Sequence, residues 1–332
     1  MTKMVETEGL TKVYPQSLRA VDGVSFYVER GEIFGFLGPN GAGKTTTIKM
    51  LTTLASVTEG SCSVAGFDVK SNPDEVRRKI GLVPQDSAVD GDLTGMENLL
   101  LSAKLYRVPD HSAKEKAEQL LGMVGLEGAA GRLARTYSGG MKKRLELVSG
   151  LINEPEILFL DEPTLGLDVQ TRKAMWDYIG GINRERKMTI FLTTHYLEEA
   201  DSLCDRVAII DHGQIKVSGT PSELESRMGG DTLEIQVLEG PDLTQPLASI
   251  RGVSGVSRTG STYTLRMPDS GGSVQEVFRG LSGLGVKVID TKLTKASLDE
   301  VFLGVTGRSI RDEVVNPAGM FVAEVRKRGS RN

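Results

Sequence analysis

An eight-residue glycine-rich stretch, GPNGAGKT at residues 38–45, constrains the fold of this chain more than any other feature. The residues before it, EIFGFL at 32–37, are apolar and predict a buried strand. In the residues after it, TTTIKMLTTLA, the apolar residues Ile48, Leu51 and Leu54 recur at a helical spacing. The stretch is therefore predicted to form the loop of a strand–loop–helix unit.

Such a loop suits a phosphate group. Backbone N–H groups without neighbouring Cβ atoms can converge on an anion, and the helix that follows adds its positive end. Lys44 can then reach the β- and γ-phosphates, and the hydroxyl of Thr45 can ligate Mg²⁺. The pattern is that of a P-loop; a dinucleotide site of the Rossmann type is disfavoured, because its glycine spacing differs and includes no lysine. A glycine-rich turn without a ligand is the weaker alternative.

A second motif supplies acids. Residues 157–163 read ILFLDEP, in which four apolar residues predict a buried strand with Asp161 and Glu162 at its carboxyl end. Ligands bind at that end of parallel sheets. We expect Asp161 to hold Mg²⁺ through its hydration shell and Glu162 to polarise the attacking water as a general base. Two solvent-facing acids are the alternative.

The remaining pattern predicts an α/β domain with a parallel sheet covered by helices. Buried strands are predicted at 157–160, 189–193 and 206–210, and helices at 112–124, 141–152, 170–185 and 196–203. Residues 92–135 are rich in helix formers and predict a helical insertion.

The character of the chain changes after residue 221. The pattern predicts a βαββαβ order, typical of a ferredoxin-like domain, with strands at 232–238, 253–258, 262–267 and 286–293 and helices at 243–250 and 273–284. A further helix is predicted at 296–304, and the last 25 or so residues are expected to be poorly ordered.

Composition limits the function. The net charge of −4 provides no basic field for nucleic acid. A basic tail contains Arg326, Lys327, Arg328 and Arg331; it is either a solvated terminus or a weak attraction to an anionic membrane. Two distant cysteines predict no disulfide and favour a reducing compartment. No signal peptide is evident, and no apolar run approaches the length needed to span a bilayer, so any membrane crossing must come from another chain.

Residues 137–141, YSGGM, are followed by a helix that leads to the ILFLDEP strand. At this point the chain resembles an ATP-binding subunit of an ABC transporter, whose signature is a Leu-Ser-Gly-Gly-Gln-type loop. Tyr137 and Met141 depart from that pattern, and the Ser-Gly-Gly core is kept. The resemblance implies a P-loop NTPase domain at 4–225 with a helical subdomain at about 92–150, a smaller accessory α+β domain at 230–307, and a tail at 308–332.

The resemblance also assigns roles. The residues that it assigns to the chain's own ATP are Tyr14, Gly38, Pro39, Asn40, Gly41, Ala42, Gly43, Lys44, Thr45 and Thr46. Tyr14 would stack on the base, and because stacking reads the face of a base, GTP stays open beside ATP. The catalytic set is Glu162, His195 as the switch histidine, and Gln85; the Mg²⁺ set is Thr45, Gln85 and Asp161. A second copy, packed head to tail, would offer Ser138, Gly139, Gly140 and Asp168 to the partner's ATP.

Residues 294–307, TKASLDEVFLGVTG, resemble the end of daunorubicin-resistance-type subunits, which serve exporters with permeases of the ABC-2 class. This implies a motor at the cytoplasmic face of the membrane that contacts the membrane only through an integral permease, and an accessory domain that regulates or stabilises the complex. The alternatives are an importer subunit, a soluble ABC ATPase acting on DNA or ribosomes, and a non-enzymatic nucleotide-binding regulator. The transported substrate contacts the permease, so this sequence does not identify it.

Overall fold

The computed structural model describes residues 2–227, 230–238, 242–268, 270–284 and 286–307. The chain forms two compact units, the first ending at Ser218 and the second beginning at Gly219. The predicted domain limits near residues 225 and 230 stay a prediction. The basic tail and the expected disorder after residue 307 lie outside the described residues.

The first unit alternates strands with helices. Its strands are β1 Lys3–Tyr14, β2 Leu18–Glu29, β3 Ile33–Leu37, β4 Glu59–Val64, β5 Phe67–Asp68, β6 Ile80–Val83, β7 Ile157–Asp161, β8 Thr189–Thr194, β9 Arg206–Asp211 and β10 Gln214–Gly219. Its helices are α1 Lys44–Leu51, α2 Pro73–Lys79, α3 Gly95–Leu105, α4 Asp110–Met123, α5 Gly139–Ser149, α6 Val169–Arg186 and α7 Leu197–Leu203. The strands and helices predicted for this region are confirmed.

A six-stranded sheet in the order β10-β9-β3-β8-β7-β6 forms the centre of the unit. β3 pairs in parallel with β8 and β9, and β7 pairs in parallel with β6 and β8. These central strands are buried on both faces, which explains their continuous apolar sequences. The carboxyl ends of β3, β7 and β8 meet at one edge, where the loop 38–43, Glu162 and His195 follow them.

A second sheet, with the antiparallel order β2-β1-β4-β5, was not predicted from the sequence. Register shifts interrupt the pairing of β1 with β2 between Lys3 and Val5 and at three further points. These irregularities break the two-residue alternation that marks a strand in a sequence. The sheet packs onto the parallel one through Phe26, whose ring lies 5.5 Å from those of Phe34 and Phe36, centroid to centroid.

The helical insertion is also confirmed. α3 begins at a capping box in which Thr94 and Glu97 each accept a hydrogen bond from the other's backbone N–H. α4 and α5 pack with α3 and bury Leu99, Leu121 and Leu145.

The second unit has the predicted βαββαβ order. Its elements are α8 Pro221–Arg227, β11 Asp231–Val237, α9 Thr244–Ala248, β12 Gly255–Thr259, β13 Thr262–Met267, α10 Ser270–Gly283, β14 Val288–Thr294 and α11 Leu298–Thr306. The four strands pair antiparallel in the order β12-β13-β11-β14, the order of a ferredoxin-like sheet. Alternate residues such as Leu233, Ile235 and Leu265 pack against α9 and α10.

Candidate active site

A cavity of about 330 Å³ lies at the carboxyl edge of the parallel sheet. Its lining brings together ten of the predicted site residues, namely Tyr14, Pro39, Asn40, Gly41, Gly43, Lys44, Thr45, Thr46, Gln85 and Glu162. These positions span almost 150 residues of sequence, so the fold has assembled the predicted site in one place. Gly38, Ala42, Asp161 and His195 adjoin this cavity through the contacts described below.

The glycines of the loop are needed by the loop's own conformation as well as by any anion. Gly43 has φ +108°, and a Cβ there would lie 2.5 Å from the carbonyl oxygen of Ala20. A Cβ on Gly38 would lie 2.3 Å from the carbonyl oxygen of Ile210 in β9. The loop therefore packs against strands on two sides, with Ala42 N–H donating to the Pro39 carbonyl. From the sequence, only room for a phosphate was predicted; the packing of the loop against β2 and β9 was not.

Lys44 begins α1 and is buried, with a relative exposure of 5%. Its Nζ donates to the carbonyl oxygens of Gly38 at 2.7 Å and Pro39 at 3.1 Å, and lies 3.2 Å from Glu162 Oε1. A buried ammonium group needs such acceptors. The loop thus holds a positive charge at the cavity, within 3.2 Å of the carboxylate of the residue that follows β7.

Asp161 is buried at the end of β7. Its Oδ1 accepts hydrogen bonds from Thr45 Oγ1 at 3.2 Å and Thr193 Oγ1 at 2.6 Å. Burial raises the pKa of Asp161 above its ordinary value, and the two hydroxyl groups offset this effect only in part. A carboxylate and a hydroxyl side by side, with the Gln85 amide on the same cavity, form an all-oxygen donor set of the kind that Mg²⁺ prefers.

Glu162 turns the chain out of the sheet in a left-handed conformation, with φ +52°. Its N–H lies 3.1 Å from Thr193 Oγ1, and its Oε2 lies 3.1 Å from His195 Nδ1. Burial raises the pKa of Glu162, but the hydrogen bond with His195 and the charge of Lys44 outweigh it, so the pKa lies below its ordinary value. Glu162 is therefore ionised at neutral pH, which a general base requires.

The other predicted residues form a second group that does not line the cavity. Ser138 is the N-cap of α5 and accepts a hydrogen bond from Met141 N–H, with Gly139 and Gly140 in the first turn. Asp168 is the N-cap of α6 and accepts from Thr171 N–H at 2.9 Å. A Cβ on Gly140 would lie 2.6 Å from Thr171 Cγ2, so these two helix N-termini are neighbours.

Some contacts of the site were missed. Thr193 bonds both Asp161 and the backbone of Glu162, and Leu18 and Ala20 of β2 line the cavity beside Tyr14. The apolar strand TIFLTT ends in two threonines, and this could have indicated the role of Thr193. A hydroxyl group buried at the end of such a strand needs a hydrogen-bond partner. No sequence signal indicated that residues of β2 would line the cavity, because the sheet to which β2 belongs was not predicted.

Two regions of the chain match known protein families. Residues 21–165 match the family described as ABC transporter, and residues 219–306 match the C-terminal domain of DrrA1-3-like ATP-binding proteins.

Similar proteins span nearly the whole chain. The daunorubicin/doxorubicin resistance ATP-binding protein DrrA of Streptomyces peucetius is 40% identical over 96% of this chain and 96% of its own. The Nod factor export ATP-binding protein I of Burkholderia thailandensis is 39% identical over 93% of this chain and 98% of its own. Among solved structures, a dimeric ATP-binding cassette in a post-hydrolysis state with ADP and Pi is 28% identical, covering 65% of this chain and 98% of its own with a TM-score of 0.60. The chain belongs to the DrrA-like branch of ABC-transporter ATP-binding subunits and is an ABC-type ATPase that binds nucleotide.

Proposed function

We propose that this chain is the motor subunit of an ABC exporter, in which two copies enclose two ATP molecules head to tail and drive a separate membrane permease. One observation carries the proposal. Lys44 and Glu162 share a cavity, whereas Ser138 and Asp168 lie at neighbouring helix N-termini outside that cavity's lining. A single subunit thus holds two complementary halves of a site rather than one complete site.

Within its own cavity the subunit performs the chemistry. Lys44 exchanges its contact with Glu162 for the β- and γ-phosphates of ATP. Glu162, held by His195, accepts a proton from a water molecule as the oxygen of that water attacks the γ-phosphorus. The bond between the γ-phosphorus and the bridging oxygen breaks, and ADP and phosphate are the products. Gln85, on the same cavity, helps to orient that water.

The oxygen donors around Asp161 fit Mg²⁺. Thr45, Gln85 and Asp161 would hold the ion, which when bound neutralises charge on the β- and γ-phosphate oxygens. Thr193, through its 2.6 Å hydrogen bond, fixes the orientation of the Asp161 carboxylate.

Tyr14 of β1 and Leu18 of β2 both line the cavity. The flat ring of Tyr14 suits stacking on a purine base. Since stacking does not read the edges of the base, GTP stays open beside ATP as the nucleotide in this proposal.

The second copy supplies the missing anion contacts. The hydroxyl group of Ser138 and the N–H groups of Gly139 and Gly140 lie at the start of α5, where N–H groups and the helix dipole attract a phosphate. Asp168 lies beside them at the start of α6. Binding of ATP between the two copies stabilises the closed dimer, and hydrolysis removes the γ-phosphate that joins them.

A groove on the helical side of the unit supports a permease as the third partner. A cavity of about 330 Å³ is lined by apolar residues, among them Leu54, Leu82, Leu105 and Tyr106, and by charged residues, namely Asp74, Arg77, Arg78 and Arg107. Leu54 and Leu105 are 63% and 75% exposed. We propose that a cytoplasmic segment of an ABC-2-type permease occupies it, so that α3 transmits motion to the membrane. No helix among the described residues is both long and apolar enough to cross a membrane.

Export is favoured over import by the match of residues 219–306 and by relatives named for resistance and for export. In this proposal the ATP-binding domain covers residues 4–225, and the accessory domain at 230–307 regulates or stabilises the complex. The subunit acts at the cytoplasmic face of the cell membrane, in efflux of a drug, lipid or other small molecule.

The variant Glu162→Gln tests the proposal. We expect it to bind ATP and to dimerise in the presence of MgATP, measured by light scattering, while hydrolysing ATP at least about a hundredfold more slowly than the wild type. Adding Ser138→Ala to the same chain should abolish that dimer. Rapid hydrolysis by Glu162→Gln would reject the general base, and a persistent monomer at saturating ATP would reject the shared site.

A further inference from the structure

A fully buried carboxyl group, Glu199 of α7, has no part in the function proposed above. Its relative exposure is 0%. Burying an ionisable group costs free energy unless the group makes compensating contacts. The contacts of Glu199 therefore indicate what the group is for.

Its Oε1 accepts two hydrogen bonds from separate elements. Thr164 Oγ1 donates at 2.9 Å, and Trp176 Nε1 donates at 2.9 Å from α6. The Oε2 of Glu199 is buried as well, and the Thr194 hydroxyl at the end of β8 is a further hydrogen-bonding neighbour that lowers the pKa of the carboxyl group. Thr164 is itself fully buried and follows Glu162 by two residues. A buried hydroxyl and a half-buried indole N–H that share an acceptor would both lose a partner if that acceptor were absent.

A second contact joins the same elements. Arg172 precedes Trp176 by one helical turn, and its guanidinium carbon lies 3.9 Å from the centroid of the Tyr196 ring. Tyr196 in turn lies 4.2 Å from the His195 ring, centroid to centroid. α6 thus touches the segment that carries His195 at both Tyr196 and Glu199.

The backbone conformation of Glu162 explains why these contacts matter for the site. Its φ of +52° is a left-handed conformation that a glutamate adopts only when its surroundings hold it there. Thr193 binds the N–H of Glu162 on one side. On the other side, the turn that leaves Glu162 is held at Thr164 by Glu199.

We propose that Glu199 is a positioning residue, which ties Thr164, Trp176 and α7 together and thereby keeps Glu162 and His195 in register for hydrolysis. This inference rests on the roles proposed for Glu162 and His195. Because the hydrogen bonds carry the effect, an amide that keeps one acceptor oxygen is sufficient, and a hydrocarbon of similar size is not.

Three variants of the full chain test this. Glu199→Leu removes the acceptor, Glu199→Gln keeps it, and Glu198→Leu alters the exposed neighbour on the same helix. We expect Glu199→Leu to lower kcat about tenfold or more while the ATP Kd is unchanged, since small displacements at a reacting centre cost rate rather than binding. Glu199→Gln and Glu198→Leu should hydrolyse ATP at close to the wild-type rate. Wild-type turnover by folded Glu199→Leu, or failure of Glu199→Gln to retain it, would overturn the inference.

The emission of Trp176, the single tryptophan of the chain, reports on the contact directly. Its wavelength should shift in Glu199→Leu and stay unchanged in Glu199→Gln. If Glu199→Leu does not fold, Thr164→Val decides, because it removes one hydrogen bond and keeps the shape. A several-fold lower kcat at unchanged ATP Kd supports the inference, and an unchanged kcat or a matching loss of affinity overturns it.

The same assays separate this inference from the proposed function. Slow hydrolysis by Glu162→Gln together with normal hydrolysis by Glu199→Leu would reject the positioning role of Glu199 and leave the proposed function standing. Fast hydrolysis by Glu162→Gln sinks the function on which that role depends.

Discussion

Lys44 shows how a buried charge is kept ready for a ligand. Its Nζ is held by two loop carbonyls and by Glu162, all within 3.2 Å. We expect phosphate oxygens of ATP to take the place of these acceptors when the nucleotide binds. The loop therefore presents a preformed cation.

We expect Lys44→Ala to lose most of its affinity for ATP, because it removes the only ammonium group that lines the cavity among the described residues. Equilibrium binding of a fluorescent ATP analogue measures the effect. The control is Lys49→Ala, which removes an exposed lysine from the same helix. Equal affinity in the two variants would contradict the P-loop assignment.

The burial of Glu199 predicts that the stability of the folded chain depends on pH. Burial raises its pKa in the folded chain above the ordinary value of about 4.5, so with rising pH the unfolded chain loses this proton first. The folded state then binds more protons than the unfolded state, and stability falls as the pH rises from about 4.5 to the folded pKa. Glu199→Gln removes this dependence.

The gain in Tm of Glu199→Gln over the wild type should therefore increase with pH across that window and become constant above it. Thermal unfolding of both chains from pH 4 to pH 8 measures this difference. A difference that does not change with pH would show that Glu199 has the same pKa in both states.

At the scale of elements, the carboxyl end of α5 packs against β6 through two glycines, Gly150 and Gly81, and the space between them leaves no room for a side chain. A Cβ on Gly81 of β6 would lie 1.9 Å from the carbonyl oxygen of Gly150, which caps the carboxyl end of α5. Backbone cannot give way as a flexible side chain can. The position of Ser138, at the other end of α5, depends on this contact.

Gly81→Ala should therefore destabilise the first unit by about 2 kcal/mol or more, through overpacking. Urea unfolding measures the change. The matched variant is Gly122→Ala in α4, where an added Cβ has no heavy atom within 4 Å and helix propensity improves. Equal stability of the two variants would mean that α5 can move away from the sheet without cost.

Elements differed in how far sequence could predict them. β3, β7 and β8 are continuous apolar runs because both faces of the parallel sheet are covered, and such runs are visible in a sequence. β1 and β2 pair with shifted register, and their alternation is broken by residues such as Gly9. Such strands are held in the sheet by pairing with their neighbours, so the alternation of their own residues is not sufficient to predict them.

At the scale of the whole molecule, two defective subunits should repair each other. In a mixed dimer of Lys44→Ala with Ser138→Ala, one site combines both defects and the other combines the intact Lys44 with the intact Ser138. We expect the mixture to hydrolyse ATP faster than either variant alone, at the same total protein concentration. No recovery in a mixture shown to form mixed dimers would contradict the shared site.

The sequence alone determined the local chemistry of this protein. A strand, a loop lacking side chains and a helix follow one another in GPNGAGKT and its flanks, and short-range sterics and periodicity are sufficient to specify them. The acids at the end of β7 were placed at the correct sheet edge for the same reason, whereas the role of His195 came from the family resemblance. Their family resemblance then predicted the class of enzyme.

The tertiary structure alone decided which of these groups touch. Thr45 meets Asp161 across 116 residues of chain, Thr193 meets Asp161 across 32, and Trp176 meets Glu199 across 23. Such pairs depend on the order of strands in the sheet and on how helices pack over it, which no local pattern encodes. For that reason the network around Glu199 was not visible in the sequence, whereas the P-loop was.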